Sequence, residues 1–152
     1  MTLEKNCRKI AVSKDSTDVA LEQAASLTRN HRTMDLIAKH PNTPEKVLSG
    51  FLSDYEFAFP LVVNPHPDPS IFLIISRHPN ASKHLLCRLV ELANCLNQDT
   101  YGEFRTRLMK SIIRHPNTTE DMLLELSFHK DHEVSICAAR ALKRRIAKPC
   151  TF

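Results

Sequence analysis

Glycine is almost missing from this chain, whose 152 residues include only Gly50 and Gly102. A sheet protein draws on glycine for the positive-φ positions of its tight turns, so this scarcity points away from β folds and toward helices. Tryptophan is absent and aromatic residues make up only 6% of the chain, so a core must come from aliphatic side chains. Long apolar runs are missing too. The most apolar stretch, Ile71-Phe72-Leu73-Ile74-Ile75, is far shorter than the roughly 20 residues of a membrane span and reads as a buried helix segment. Met1-Thr2-Leu3-Glu4-Lys5-Asn6-Cys7 has neither the apolar core nor the small-residue cleavage site of a secretory signal. A cytoplasmic location, away from membranes, is the expectation.

The patterns that mark an enzyme are lacking as well. The sequence holds no glycine-rich phosphate loop, no Gly-x-Ser-x-Gly turn and no Cys-x-x-Cys pair. Its cysteines, Cys7, Cys87, Cys95, Cys137 and Cys150, are odd in number and match no zinc-site spacing. They read as free thiols in a reducing compartment, with Cys87 and Cys137 packing as small hydrophobes. The expectation is a protein that is not an enzyme and uses no metal or cofactor.

What is present is ordinary in bulk: 42% hydrophobic and 25% charged residues, enough for one globular domain. A net charge of +4 and a pI near 8.9 are too mild to mark a nucleic-acid binder unless the bases gather on one face. The strongest signal is internal. His-Pro-Asn occurs at His40-Pro41-Asn42, His78-Pro79-Asn80 and His115-Pro116-Asn117, spaced 38 and 37 residues apart. Each copy follows an aliphatic stretch and a base: Leu36-Ile37-Ala38-Lys39, Ile74-Ile75-Ser76-Arg77 and Ile112-Ile113-Arg114. Each then leads into a second apolar run, Val47-Leu48, Leu85-Leu86 or Met122-Leu123-Leu124. A shorter echo accompanies it, because Pro65 follows Pro41 by 24 residues and Arg140 follows Pro116 by the same interval.

The signature has a physical reading. The base complements the negative end of a helix dipole, and proline pushes the preceding histidine out of helical geometry. The next helix then starts, with Thr43 suited to its N-cap, Pro44 to its first position and Glu45 to its first turn. His-Pro-Asn is therefore a helix stop, a corner and a helix start. Outside these signatures, Ser16 or Thr17 can cap a helix through Leu27. Phe57 to Val63 reads as a short buried helix, and Glu133 opens a last helix running to about Ile146.

The pattern aliphatic-x-base-His-Pro-Asn-Thr-Pro-Glu with its 24-residue echo resembles the leucine-rich repeat variant family of bacteria, best over Ile37 to Leu52 and Ile112 to Arg140. The resemblance covers residues 33–146 and implies a right-handed solenoid in which α-helices alternate with short 3₁₀ segments. The expected architecture is all-α, a short right-handed α-solenoid of α/3₁₀ or HEAT-like repeats. Residues 1–32 would form a capping region, 33–146 the repeats and 147–152 a tail, all in one domain. Some family members carry an iron–sulfur cluster in a cysteine-rich N-terminal segment; Cys7 alone does not carry that over.

Eight histidines invite a catalytic or metal reading. His40, His78 and His115 recur with the repeat, which is the behaviour of structural residues, and a regular stack would line them along one ridge. His129 and His132 have the i,i+3 spacing of helical metal ligands but lack the Glu-x-x-His or His-Glu-x-x-His context that such sites use. An inter-helix turn is the simpler reading. Charge gives the sharper lead. Arg140, Lys143, Arg144, Arg145 and Lys148 fall in a segment without an acid, where Leu142 and Ile146 should point inward. Arg105, Arg107, Lys110 and Arg114 lie one unit earlier. On successive helices these bases would merge into a stripe. The leading expectation is a binding or scaffold module for a protein partner, with nonspecific nucleic-acid binding through that stripe as the alternative.

Overall fold

The computed structural model describes residues 2–58, 69–96 and 98–147. Among these the chain is all-α, with nine helices and no strand. They are α1 (Leu3–Val12), α2 (Asp18–Leu27), α3 (His31–Lys39), α4 (Glu45–Ala58), α5 (Ser70–Ile75), α6 (Lys83–Cys95), α7 (Gln98–Arg114), α8 (Glu120–Ser127) and α9 (His132–Ile146). No helix among the described residues is long and apolar enough to cross a membrane. The chain divides into two compact units, Met1–Ala81 and Ser82–Phe152.

Local sequence explains where most helices begin. Thr17, Asn30, Ser82, Thr119 and Asp131 sit in extended N-cap geometry, and each side chain accepts an N–H from the first turn. Such caps satisfy donors that the helix itself leaves unbonded, each stabilising by about 1 kcal/mol. Thr43 behaves differently from its expected role. Its hydroxyl turns back to donate to the Ile37 carbonyl, and α4 starts at Glu45 after Pro44. Thr118 repeats this by donating to the Ile112 carbonyl, which leaves the cap of α8 to Thr119. After His78 and His115 the capping side chain is the fifth residue counted from the histidine, Ser82 or Thr119, whereas after His40 that place is held by Pro44.

In Met1–Ala81, α1 packs on α2 and α3, and α3 packs on α4 and α5. The core comprises Leu21, Ile37, Leu48, Leu52, Ile71, Phe72 and Ile75, all nearly inaccessible to water. Helix α5 has only six residues, too few to persist alone, so burial must hold it. Burying Ile71, Phe72 and Ile75 supplies about 1.5–3 kcal/mol each. In Ser82–Phe152, α6 packs on α7, while α9 packs on both α7 and α8. Leu85, Leu86, Leu89, Leu108, Met109, Ile112 and Leu123 fill that core.

Two expectations change in detail. The helices are α-helical, with no 3₁₀ helix among the described residues; the tighter i→i+3 bonds appear at helix ends, where His40, His78 and His115 turn into corners and where α4 and α5 begin. Cys7, not Cys87 or Cys137, is the fully buried thiol; the latter two are half-buried and Cys95 is exposed. Cys150 lies outside the described residues, as does the part of the expected 57–63 helix beyond Ala58.

Candidate functional site

Each His-Pro-Asn corner is one and the same hydrogen-bonded unit. The histidine N–H donates to the residue three back, from His40 to Ile37 at 3.0 Å, His78 to Ile75 at 3.0 Å and His115 to Ile112 at 2.9 Å. The histidine carbonyl then accepts from Thr43, Ala81 or Thr118 three residues on. Inside this turn the asparagine N–H donates to the imidazole Nδ1, at 3.2 Å for Asn42, 3.1 Å for Asn80 and 3.1 Å for Asn117. An Nδ1 that accepts carries no proton, so the neutral ring has its proton on Nε2. His40 Nε2 donates to the Ser13 carbonyl at 2.9 Å, and His78 Nε2 donates to the His40 carbonyl at 2.8 Å. The asparagine amides add parallel bonds, Asn42 to the Ser16 carbonyl and Asn80 to the carbonyls of Pro41 and Thr43. All three histidines are buried, so they are rungs of the scaffold and do not line an exposed ridge.

The ladder also exposes a corner that the sequence disguises. Ser13 and Ser16 take the places of histidine and threonine, with Ser16 N–H donating to the Ser13 carbonyl and its hydroxyl to the Ile10 carbonyl. The α1–α2 pair is therefore built like the later repeats, although the sequence reads it only as a cap. The 24-residue echo surfaces as side-chain bonds across similar intervals: Lys46 to Glu22, Thr106 to Asp131, and Lys110 to Glu133.

His129 and His132 part company. His129 Nδ1 accepts the Asp131 N–H at 3.0 Å and its Nε2 donates to Asn94 Oδ1 at 3.1 Å, clasping α8 to α6. His132 is an exposed first residue of α9. Burial, then the positive charge of Arg105, holds His129 below the ordinary imidazole range. Asp131 lies below the usual carboxyl range, chiefly because the Thr106 hydroxyl donates to it at 2.6 Å, with burial working in the opposite direction.

The expected basic stripe is thinned by the packing. Arg105 is only 2% exposed, so it is not a surface residue; its Nε is buried without an acceptor. Arg145 is spent on the last corner, where its guanidinium donates to the carbonyls of Thr118 and His115. Lys110 pairs with Glu133, whose hydrogen bond raises the ammonium above its ordinary value. Lys148 lies outside the described residues. Arg107, Arg114, Arg140, Lys143 and Arg144 remain exposed on α7 and α9, two helices in contact. Leu142 is half-buried, whereas Ile146 is 68% exposed and does not point inward.

Two surface features escaped the sequence reading. Lys5, Arg8 and Lys9, on one face of α1, border a shallow hollow with Val12 and Ser13; their i,i+3 and i,i+4 spacing was the available signal. Helix α8 exposes an acidic and apolar face, Glu120, Asp121, Leu124 and Glu125, continued by Phe128, which is 82% exposed. Its acid run with no base was the signal there.

The described residues define an all-helical protein organised by a recurring histidine corner. Set against known proteins, the chain matches no family model, no curated protein and no solved structure.

Proposed function

We propose that this chain is a non-enzymatic binding or scaffold module: a short right-handed α-solenoid, akin to leucine-rich repeat variant or HEAT-like repeats, that offers a helix face to a protein partner in the cytoplasm of a bacterial cell. The observation that carries this reading is the exposed pair formed by Leu124 on α8 and Phe128 at its C-cap. Exposed aromatic anchors with apolar neighbours are characteristic of protein interfaces, and solenoid faces are general binding surfaces. The corner histidines support the non-enzymatic part, since their ring nitrogens serve the scaffold. The test is affinity capture from the native cell with the wild-type chain and with Leu124→Ser/Phe128→Ser. A partner retained by the first and lost by the second supports the reading; identical capture by both counts against it.

The second reading, nonspecific nucleic-acid binding, is favoured by the five exposed bases on α7 and α9. If all five met phosphates, affinity for duplex DNA would fall with salt on a log–log slope of about −4.5. Reversing Arg140, Lys143 and Arg144 to Glu should remove most of that slope. Absence of binding at low salt ends this alternative.

A further inference from the structure

We propose that the groove between α6 and α8 docks a basic, amphipathic segment of a partner protein, seating one aliphatic side chain between the helices and laying Lys or Arg across the carboxylates of its walls. This rests on the protein-binding reading above and names the partner's chemistry.

The groove has a structural origin. Helices α7 and α9 pack closely, whereas α6 and α8 stand farther apart. Between α6 and α8 lies a recess of about 120 Å³ lined by Cys87, Val90, Met122 and Leu126, with Glu91 and Glu125 on opposite sides. A dry cavity of about 150 Å³ accepts a benzene-sized group, so this recess suits one Leu or Ile side chain. The His129–Asn94 bond bridges the same two helices one turn further on. The recess is thus a bounded apolar slot flanked by two acids.

Charge selects the occupant. Helix α8 carries Glu120, Asp121 and Glu125 and no base; α6 adds Glu91 against Lys83 and Arg88. A phosphate backbone would meet these carboxylates at a like-charge cost, while a cationic segment is attracted. The chain's net charge of +4 has the opposite effect, so attraction of a cation here would be local. Helix-in-groove recognition uses this combination of an apolar anchor and a charged rim.

The test uses the full chain and two fluorescein-labelled 14-residue peptides, one of Leu and Lys in amphipathic helical order, the other with Glu in place of every Lys. The Leu/Lys peptide should bind, raise anisotropy and shift amide resonances of residues 87–94 and 122–129. Glu91→Lys/Glu125→Lys should weaken it at least tenfold, and Cys87→Phe, which fills the recess, should do so without changing the rim charge. Arg140→Glu/Arg144→Glu should leave affinity within twofold. Circular dichroism confirms that each variant is folded. Equal binding of both peptides, unchanged binding after the Glu reversals, or shifts confined to other helices overturns the proposal. If the Leu/Lys peptide fails while cellular capture still depends on Phe128, the groove assignment falls and the binding module stands; loss of both defeats both.

Discussion

In Met1–Ala81 the His40 carbonyl receives the imidazole of His78 and the Thr43 carbonyl receives the Asn80 amide, whereas in Ser82–Phe152 the matching carbonyls of His115 and Thr118 both receive the guanidinium of Arg145. The comparison separates what a corner requires from how it is supplied. A corner leaves two carbonyls turned outward, and any donor set that reaches both completes it. Histidine and asparagine do so from a short loop in which the imidazole is already buried while Asn80 is exposed. Arginine does so with one forked group at the end of a long side chain, reaching over from α9. Arg145 therefore stands in for a fourth His-Pro-Asn corner. The two solutions should differ in strength, because ordering a half-exposed arginine costs side-chain entropy that a buried imidazole has largely lost already.

The widest gap should appear on truncating the two donors. His78→Ala removes the bond to His40, orphans the Asn80 N–H and leaves a void in a buried site. We expect a loss of about 2–4 kcal/mol in urea unfolding. Arg145→Ala should cost about 1 kcal/mol, with faster amide exchange confined to residues 115–118 and the end of α9. Equal losses for the two variants would break the comparison, since they would show that the fork and the imidazole are interchangeable in energy. Between these lie Thr43→Val and Thr118→Val, which delete the buried hydroxyl bonds to Ile37 and Ile112. Each should cost about 1–2 kcal/mol, and similar values in the two units would show that the corners themselves are equivalent.

Much of this was legible from residues, and the reasons are local. His-Pro-Asn marks helix ends because proline restricts its predecessor wherever it occurs, so α3, α6, α7 and α8 sit where the motif implies. Arg140–Arg145 fall on a helix that starts one residue before the expected Glu133 and ends at the expected Ile146. Side-chain destinations were not legible. Arg105 and Arg107 differ by two positions on α7, which turns one inward and the other outward. Arg145 is indistinguishable from Arg144 in composition, and only a carbonyl pair supplied 27 and 30 residues earlier separates them. The Ser13–Ser16 corner was hidden because serine supplies the required hydroxyl without the histidine that announces the others. Thr43 was misplaced by one residue because Pro44 occupies the position that Ser82 and Thr119 use as caps.

The smallest effect tests the other kind of turn, where His129-Lys130-Asp131 repeats the ring-to-backbone bond of the His-Pro-Asn corners without proline. Here acid should act on stability through groups of known direction. The folded chain holds Asp131 below its ordinary value of 3.8, so its contribution is complete above that pH and is lost as pH falls through 3.8 toward the folded value. His129 is held below 6.5, so the folded state favours the neutral ring; that share is complete above 6.5 and declines as pH falls through it. Asp131→Asn keeps an N-cap for α9 but cannot titrate, so it should change stability at pH 7 by less than about 1 kcal/mol and flatten the acid limb of the profile. Thr106→Val removes the hydroxyl that does most to lower Asp131 and so brings its folded value back toward 3.8; it should flatten the same limb and, by deleting that bond to the carboxylate, lower stability at pH 7. Urea midpoints measured between about pH 3 and pH 7 separate these cases. If Asp131→Asn follows the wild-type curve throughout, the acid sensitivity belongs to other carboxylates, and the turn at 129–131 is held by its backbone and by His129 alone.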